Sequence, residues 1–313
     1  MYALVVDKTT PSALRLARAP RPVAKPNQIL VEVTHTSLNW GELNHARQGA
    51  ENGQVLGWDA AGIVRAAAED GSGPQVGARV VTFGWDGGAW AQLRAVDTAD
   101  VAVVPDGIDL ADAAALPVAG VSALRALRAG GPLLGRRVLI TGASGGVGRF
   151  AVQLAALGGA HVIACVGSEK RGAGLAELGA HEVVVGLDTV KEPVDVVLDS
   201  VGGPMLVAAY ERLAVGGNLQ SIGWTSREPA VFEMYATVGP AKTLTSFMMG
   251  AGLNADLSTL LTLLGEGRLS VEIGWRGSWT QADEAIDALF GRRVAGKAVL
   301  DVEPLGSGDD AAE

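Results

Sequence analysis

The stretch VLITGASGGVGRFAVQLA, residues 138–155, sets Gly142, Gly145 and Gly148 at three-residue intervals between an apolar run and a helical one. Glycine at this spacing permits a tight turn and lets a pyrophosphate approach the backbone N–H groups at a helix N-terminus. The chemistry on offer is dinucleotide binding, with Gly142, Ser144, Gly145, Gly146, Val147 and Gly148 as the cradle. The glycines alone are a weak signal, because a ligand-free turn from strand to helix can use the same residues.

Residues further along sharpen it. In a dinucleotide fold an acidic side chain at the end of the second strand accepts from the adenosine ribose, whereas basic side chains receive a 2′-phosphate. Here that strand ends in CVGSEKRGAG: Gly167 and Ser168 stand at the end itself, followed by Glu169, Lys170 and Arg171. Ser168 can donate to a phosphate oxygen and Arg171 can clamp one bidentately, with Lys170 in support, so the expected cofactor is NADPH. If Lys170 and Arg171 only solvated the start of the next helix, they would set cations against the helix dipole. Softer cofactor candidates are Ser200 in VLDSVGG and Gly223 in QSIGWTS, each just past an apolar strand.

Positioning these groups takes alternating strands and helices, and from about residue 111 the chain supplies them. An Ala-rich helical stretch, 111–129, precedes strands at 138–141, 161–166, 182–185, 194–198 and 218–222, with helices at 147–157, 169–178 and 203–213. Such alternation predicts an α/β, doubly wound parallel sheet. The first 110 or so residues read differently. ALVV, QILVEVTHTSL, AAGIVRAA, ARVVTFG and WAQLRAV are short apolar or alternating runs separated by Gly, Pro and Asp, a barrel-like or sandwich-like pattern. From LSTLLTLLGEGRLSVEIG to GKAVLDV the chain returns to helix, strand, helix and strand, which would rejoin the first domain. The acidic tail GSGDDAAE is expected to be disordered.

Composition narrows the partners. With 313 residues, 48% of them hydrophobic, and a mean hydropathy of +0.26, the chain can bury a sizeable core in one large or two ordinary domains. A net charge of −9 and a pI near 5.0 argue against a nucleic-acid or anionic-membrane surface, either of which needs clustered Lys and Arg. Small uncharged or cofactor-bound substrates fit better. The single cysteine, Cys165 in HVIACVG, excludes an intramolecular disulfide, suits a reducing compartment, and reads as a buried strand residue before a reactive thiol. MYALVVDKTT lacks a basic segment followed by an apolar one, and no uninterrupted apolar stretch reaches the roughly 18–20 residues of a membrane span, so the expected location is cytoplasmic.

SLNWGELNHARQG, LGWDAAGIV, LPVAGVSALRAL, VLITGASGGVGRFAVQLA, LGAHEVV and GKAVLDV occur in an order that resembles the zinc-independent quinone oxidoreductase branch of the medium-chain dehydrogenase/reductase superfamily, over essentially the whole chain. The resemblance implies a GroES-like catalytic domain, residues 1–112 and 250–313, into which a Rossmann dinucleotide-binding domain, 113–249, is inserted. It also implies a homodimer formed through the edge strands of the nucleotide domains, and AKTLTSFMMG, 241–250, has the β-rich apolar character of such an edge. Zinc-dependent relatives carry Cys, then His-Glu, then Cys around the metal; the matching positions here are Asn39, Trp58 with Asp59, and Val118. A lone carboxylate makes no tetrahedral site, and His35, His45, His161 and His181 lack HxxxH spacing, so no metal is expected. Relatives also place a tyrosine where Asn44 stands, which removes support for a tyrosine proton donor.

Without metal, the natural reaction is hydride transfer from reduced nicotinamide to an acceptor that delocalises the developing charge, a quinone first and an α,β-unsaturated carbonyl second. Asn39 is the candidate for positioning substrate or nicotinamide ribose, Ser122 for touching the nicotinamide end, and His45 for supplying a proton, with bulk water as the alternative. Trp40, Trp58 and Trp85 lie in segments that the resemblance puts near a cleft, where they could wall a flat pocket; core packing explains any one of them equally well. Three functions stay open: a quinone reductase, an enoyl or enone reductase of the polyketide type, and a non-catalytic NADPH-binding protein.

Overall fold

The computed structural model describes residues 1–239 and 241–304; the tail GSGDDAAE, read above as disordered, lies outside them. Among the described residues the chain divides into two compact units, Met1–Val118 with the chain from Ala251 onward, and Ala119–Gly250. The chain leaves the first unit within a wide π-type turn, Pro117–Val121, and returns at Gly250 and Ala251.

The first unit holds β1 (Tyr2–Val6), β2 (Leu14–Arg18), β3 (Gln28–Leu38), α1 (Trp40–Gln48), β4 (Asp59–Ala66), β5 (Arg79–Phe83), β6 (Leu93–Asp97), β7 (Val101–Val103) and α2 (Leu110–Ala114). β1 and β2 form an antiparallel pair of their own. The long strand β3 organises the rest: it pairs antiparallel with β4 and, over its first half, with β6. Ile29, Val31 and Val33 fall at alternate positions and so share one face for the core, where these three are at most 1% exposed. The pairings Ser37 with Asp59 and Leu38 with Ala298 bring three strand ends side by side, and that corner carries the chemistry described below.

The second unit contains α3 (Ser122–Ala129), β8 (Arg137–Thr141), α4 (Gly146–Leu157), β9 (His161–Val166), β10 (Glu182–Val185), β11 (Val194–Asp199), α5 (Gly203–Glu211), β12 (Leu213–Ser221) and β13 (Thr243–Ser246). Its sheet is six-stranded among the described residues and parallel throughout, in the order β10-β9-β8-β11-β12-β13. RVLIT, HVIACV and VDVVLD are near-continuous apolar runs, as strands covered on both faces require. The order reverses at β8, so the turn after β8 opens at a topological switch point. This is the expected doubly wound parallel sheet. The first unit is completed by α6 (Asn254–Gly265), β14 (Ile273–Ser278), α7 (Ala282–Phe290) and β15 (Lys297–Asp301), the last pairing with both β14 and β3.

Three local expectations change. The predicted helix at 169–178 is only a short 3-10 turn, Glu169–Gly172, followed by further turns; Gly174 adopts φ +78°, and the paired glycines at 172 and 174 remove the conformational bias that a helix needs. The Ala-rich stretch 111–129 is broken into α2, the π-type turn that begins at Pro117, and α3. The strand expected at 218–222 is the second half of β12, which starts at Leu213. Among the described residues no helix is long and apolar enough to cross a membrane.

Candidate functional site

In the second unit β8 ends at Thr141 and the chain turns at Gly142, φ +62°, before α4 begins at Gly146. The first bond that closes the helix runs from Arg149 N–H to the Gly145 carbonyl, 3.0 Å, so the amides of Gly146, Val147 and Gly148 precede the intrahelical ladder and present donors. Gly148 does a different job. A Cβ there would stand 2.5 Å from both Ala143 Cα and the Gly142 carbonyl oxygen, so only glycine lets the helix sit this close to the turn.

Sequence candidates that lie far apart in the chain meet at this turn. Arg171 Nε donates to Ser144 Oγ at 3.0 Å, which carries a guanidinium from beyond the second strand of the nucleotide motif, β9, to the glycine cradle. Ser144 is buried; Ser168 and Lys170 are exposed, and Ser168 caps the short turn that presents Arg171. On the other side of β8, a Cβ on Gly142 would come 3.7 Å from Ser200 Cβ, and Gly223 N–H donates to the Asp199 carbonyl at 3.3 Å. The donors and open backbone of this group fit a dinucleotide.

In the first unit a buried polar network occupies the corner where β3, β4 and β15 meet. Asn39, 9% exposed, heads α1; its backbone N–H donates to Glu42 Oε1 at 2.7 Å, and its amide nitrogen donates to Glu42 Oε1 at 3.1 Å and to Asp59 Oδ2 at 2.9 Å. Asp59 Oδ2 also accepts from Ser37 Oγ at 2.8 Å, and Oδ1 accepts from Val118 N–H at 3.1 Å. Lys297 Nζ donates to the Leu38 carbonyl and to Asn39 Oδ1, and stands 3.5 Å from Asp59 Oδ2. Trp58 N–H completes Glu42 at 2.8 Å. Asn39, Trp58, Asp59 and Val118 are thus brought together, as the resemblance implies.

The donor set does not fit zinc. Both hydrogens of the Asn39 amide are used, Trp58 and Val118 offer no ligand atom, and the Asp59 oxygens are spent on Ser37, Asn39 and Val118 beside the Lys297 ammonium. Among the described residues no three His, Cys, Asp or Glu side chains are grouped to hold a metal ion. The committed amide also corrects the expectation that Asn39 reaches a substrate or ribose with its N–H groups; Asn39 positions its neighbours.

The other candidates divide between the units. Ser122 opens α3 and is buried, with its hydroxyl on Met249 Sδ at 3.4 Å. His45 sits exposed in the last turn of α1, while Glu42, Leu43 and Ala46 of the same helix are buried. The three tryptophans form no common wall: Trp58 packs edge-on against Trp85 at 4.8 Å, whereas Trp40 packs edge-on against Phe290 at 4.7 Å. Cys165 is buried, and burial pushes its thiol up to about 11, as an inert strand residue requires.

Glu42, Arg94, Thr141, Asp199 and Lys297 are buried polar residues that the candidates named from the sequence do not include. Glu42 carries a readable signal, since Asn39 followed three residues later by Glu is a capping box. Lys297 directly precedes the apolar run AVL of its strand and Asp199 directly follows the apolar run VVL of its own, which places each charge beside a buried segment. Arg94 gives no such signal: it is 1% exposed, donates to Thr82 Oγ1 at 2.9 Å, and is lowered by burial to about 10, with Asp59 and Glu42 opposing that shift.

Burial and the neighbouring Asp59 carboxylate raise Glu42 from 4.5 to about 8, against the pull of Lys297 and of the Trp58 and Asn39 N–H groups. The folded protein therefore holds a proton that the unfolded chain releases, so this contribution to stability is full below about pH 4.5 and is lost as pH rises through about 8. One such group tilts unfolding free energy by about 1.4 kcal/mol per pH unit inside that window. Urea unfolding of Glu42→Gln between about pH 5 and pH 8 is expected to show a shallower decline than the parent; identical slopes would contradict the assignment.

Two family models match the chain, the alcohol dehydrogenase GroES-like domain over residues 25–106 and the zinc-binding dehydrogenase over residues 146–266. A mycocerosic acid synthase-like polyketide synthase of Mycobacterium tuberculosis is 31% identical over 94% of this chain, and the chain spans only 15% of that protein. Quinone oxidoreductase of Sus scrofa is 29% identical over 81% of this chain and 80% of its own length. Among solved structures, the quinone oxidoreductase of Coxiella burnetii superposes with a TM-score of 0.85 at 26% identity, covering 97% of this chain and 99% of its own. With a GroES-like domain, a parallel Rossmann sheet and these relatives, the chain belongs to the medium-chain dehydrogenase/reductase superfamily and is quinone oxidoreductase-like.

Proposed function

We propose that this chain is an NADPH-dependent, metal-independent reductase that transfers hydride to a quinone or another conjugated carbonyl. The observation that carries the reading is the hydrogen bond from Arg171 Nε to Ser144 Oγ at 3.0 Å, which holds a cation beside the glycine turn. Gly142, Ser144 and Gly145 would shape the turn, Gly146, Val147 and Gly148 would hold the pyrophosphate on backbone N–H groups, and Arg171, with Ser168 and Lys170, would take a 2′-phosphate. Reduced nicotinamide, when bound, supplies the hydride.

Metal independence is supported by the use already made of Asp59, whose oxygens have their donors and whose charge has Lys297. An acceptor that spreads its own negative charge needs no Lewis acid, which is why quinones and enones suit such a site. In this reading Asn39 is a positioning residue, Ser122 faces the nicotinamide end, and a proton comes from water or from exposed His45. Enoyl reduction is the second reading, favoured by the 31% identity to a polyketide synthase over nearly the whole chain. The homodimer is proposed through β13, one of the two edge strands of the parallel sheet.

NADPH oxidation measured against a panel of quinones and enones, with and without a chelator, tests the function. Turnover that is fastest with quinones and indifferent to chelation is expected. Faster turnover with enones would favour the second reading, activity lost with the metal would contradict the first, and tight NADPH binding without turnover would leave a binding protein.

Cofactor choice has its own test. A charge-assisted contact is worth about 1.5–3 kcal/mol, so Arg171→Ala is expected to weaken NADPH binding by about ten- to a hundredfold and to leave NADH nearly unchanged, as read by calorimetry. Equal losses for the two cofactors would contradict the assignment.

A further inference from the structure

Asp199, at the end of β11, is 0% exposed and forms no ion pair among the described residues. A hydroxyl and two backbone amides meet its carboxylate: Thr141 Oγ1 donates to Oδ1 at 2.5 Å, Gly202 N–H to Oδ2 at 2.8 Å, and Val201 N–H to Oδ1 at 3.4 Å. Burial raises this carboxyl above the ordinary aspartate range, and those three donors pull it back. A carboxylate that could have been an apolar residue is retained at a cost, which asks what its contacts accomplish.

They join three strand ends. Thr141 closes β8 and leads directly into the glycine turn, and its Oγ1 also accepts from Ser200 N–H at 3.2 Å. The Asp199 carbonyl accepts from Ile222 N–H at 2.7 Å and Gly223 N–H at 3.3 Å, just past the end of β12. The two loops beyond these strands are then tied to each other, by Ser226 N–H on the Val201 carbonyl at 2.8 Å and by Thr225 Oγ1 on the Ser200 carbonyl at 3.1 Å. Gly202, φ +72°, turns its amide onto the carboxylate, and a Cβ there would stand 2.5 Å from the Trp224 ring. Residues 199–203 and 222–226 form one block, set against the glycine turn by the buried side chains of Asp199 and Thr141.

In a doubly wound sheet the dinucleotide lies across the carboxyl ends of the strands at the switch point. Arg171 and Ser168 follow β9, on one side of β8, and that side would take the adenosine half. The strand order then leaves β11 and β12, on the other side, for the nicotinamide half. We propose that Asp199 and Thr141 are a positioning pair: without touching the cofactor, they hold the 199–203 and 222–226 loops in the shape that binds the nicotinamide half of NADPH. This rests on the NADPH reading above.

The test compares binding of NADPH with binding of adenosine 2′,5′-bisphosphate, the adenosine half alone, by calorimetry. Asp199→Asn sets an amide N–H against the Gly202 N–H or, turned over, against the Val201 N–H, so NADPH affinity is expected to fall by about ten- to a hundredfold, while bisphosphate affinity stays within about twofold. Thr141→Val is expected to show the same split in milder form, and carries the test if Asp199→Asn does not fold; Thr141→Ser, which keeps the hydroxyl, is expected to restore NADPH affinity. A variant that loses affinity for both probes equally, or for neither, would overturn the proposal. A parent protein that binds neither probe would overturn the NADPH reading, and this proposal with it.

Discussion

The first unit is built around the burial of one negative charge. Asp59 lies at the start of β4 with no exposed surface, and the donors to its oxygens and its cation come from the end of β3, the start of α1, the turn at Val118 and the start of β15. Removing a single partner from a buried ion pair typically costs about 3–5 kcal/mol, because the remaining charge is stranded. The elements that meet at this corner are therefore constrained together, and the constraint links residues near position 39 with residues near position 297. The return of the chain to its first unit is thus held by a specific bond, Lys297 to Asn39, as well as by strand pairing.

The second unit meets a similar problem without a cation. Asp199 is met only by a hydroxyl and backbone N–H groups, and the loops it organises carry glycine where the chain must turn tightly. Backbone donors are directional and short, so they fix loop geometry more narrowly than a mobile lysine would. One unit thus buries its carboxylate against a lysine to anchor strands and a helix. The other buries its carboxylate against amides, and what it shapes there is the surface opening onto the ends of parallel strands.

Much of this was legible in the sequence. Strands such as HVIACV and the helix after the glycine turn follow from short-range periodicity, and the cradle from glycine spacing, because these are properties of neighbouring residues. The helix expected at 169–178 failed for a local reason, two glycines among apolar residues whose spacing resembles a helical face. The bond between Arg171 and Ser144 spans 27 residues, and that between Lys297 and Asn39 spans 258. No periodicity encodes such pairs; only the fold brings them into contact. Family resemblance points to Asn39, yet the partners that consume its amide are visible only in three dimensions.

The reading as a reductase stands or falls on whether hydride leaves the cofactor for a conjugated acceptor. NADPH deuterated at the transferable C4 position, incubated with the protein and an enone, tests this directly, with a quinone run in parallel. Deuterium at the β-carbon of the reduced enone, and slower oxidation of the deuterated cofactor with the quinone, are the results expected. Cofactor that binds tightly yet transfers no label and shows no isotope effect with any acceptor would contradict the assignment.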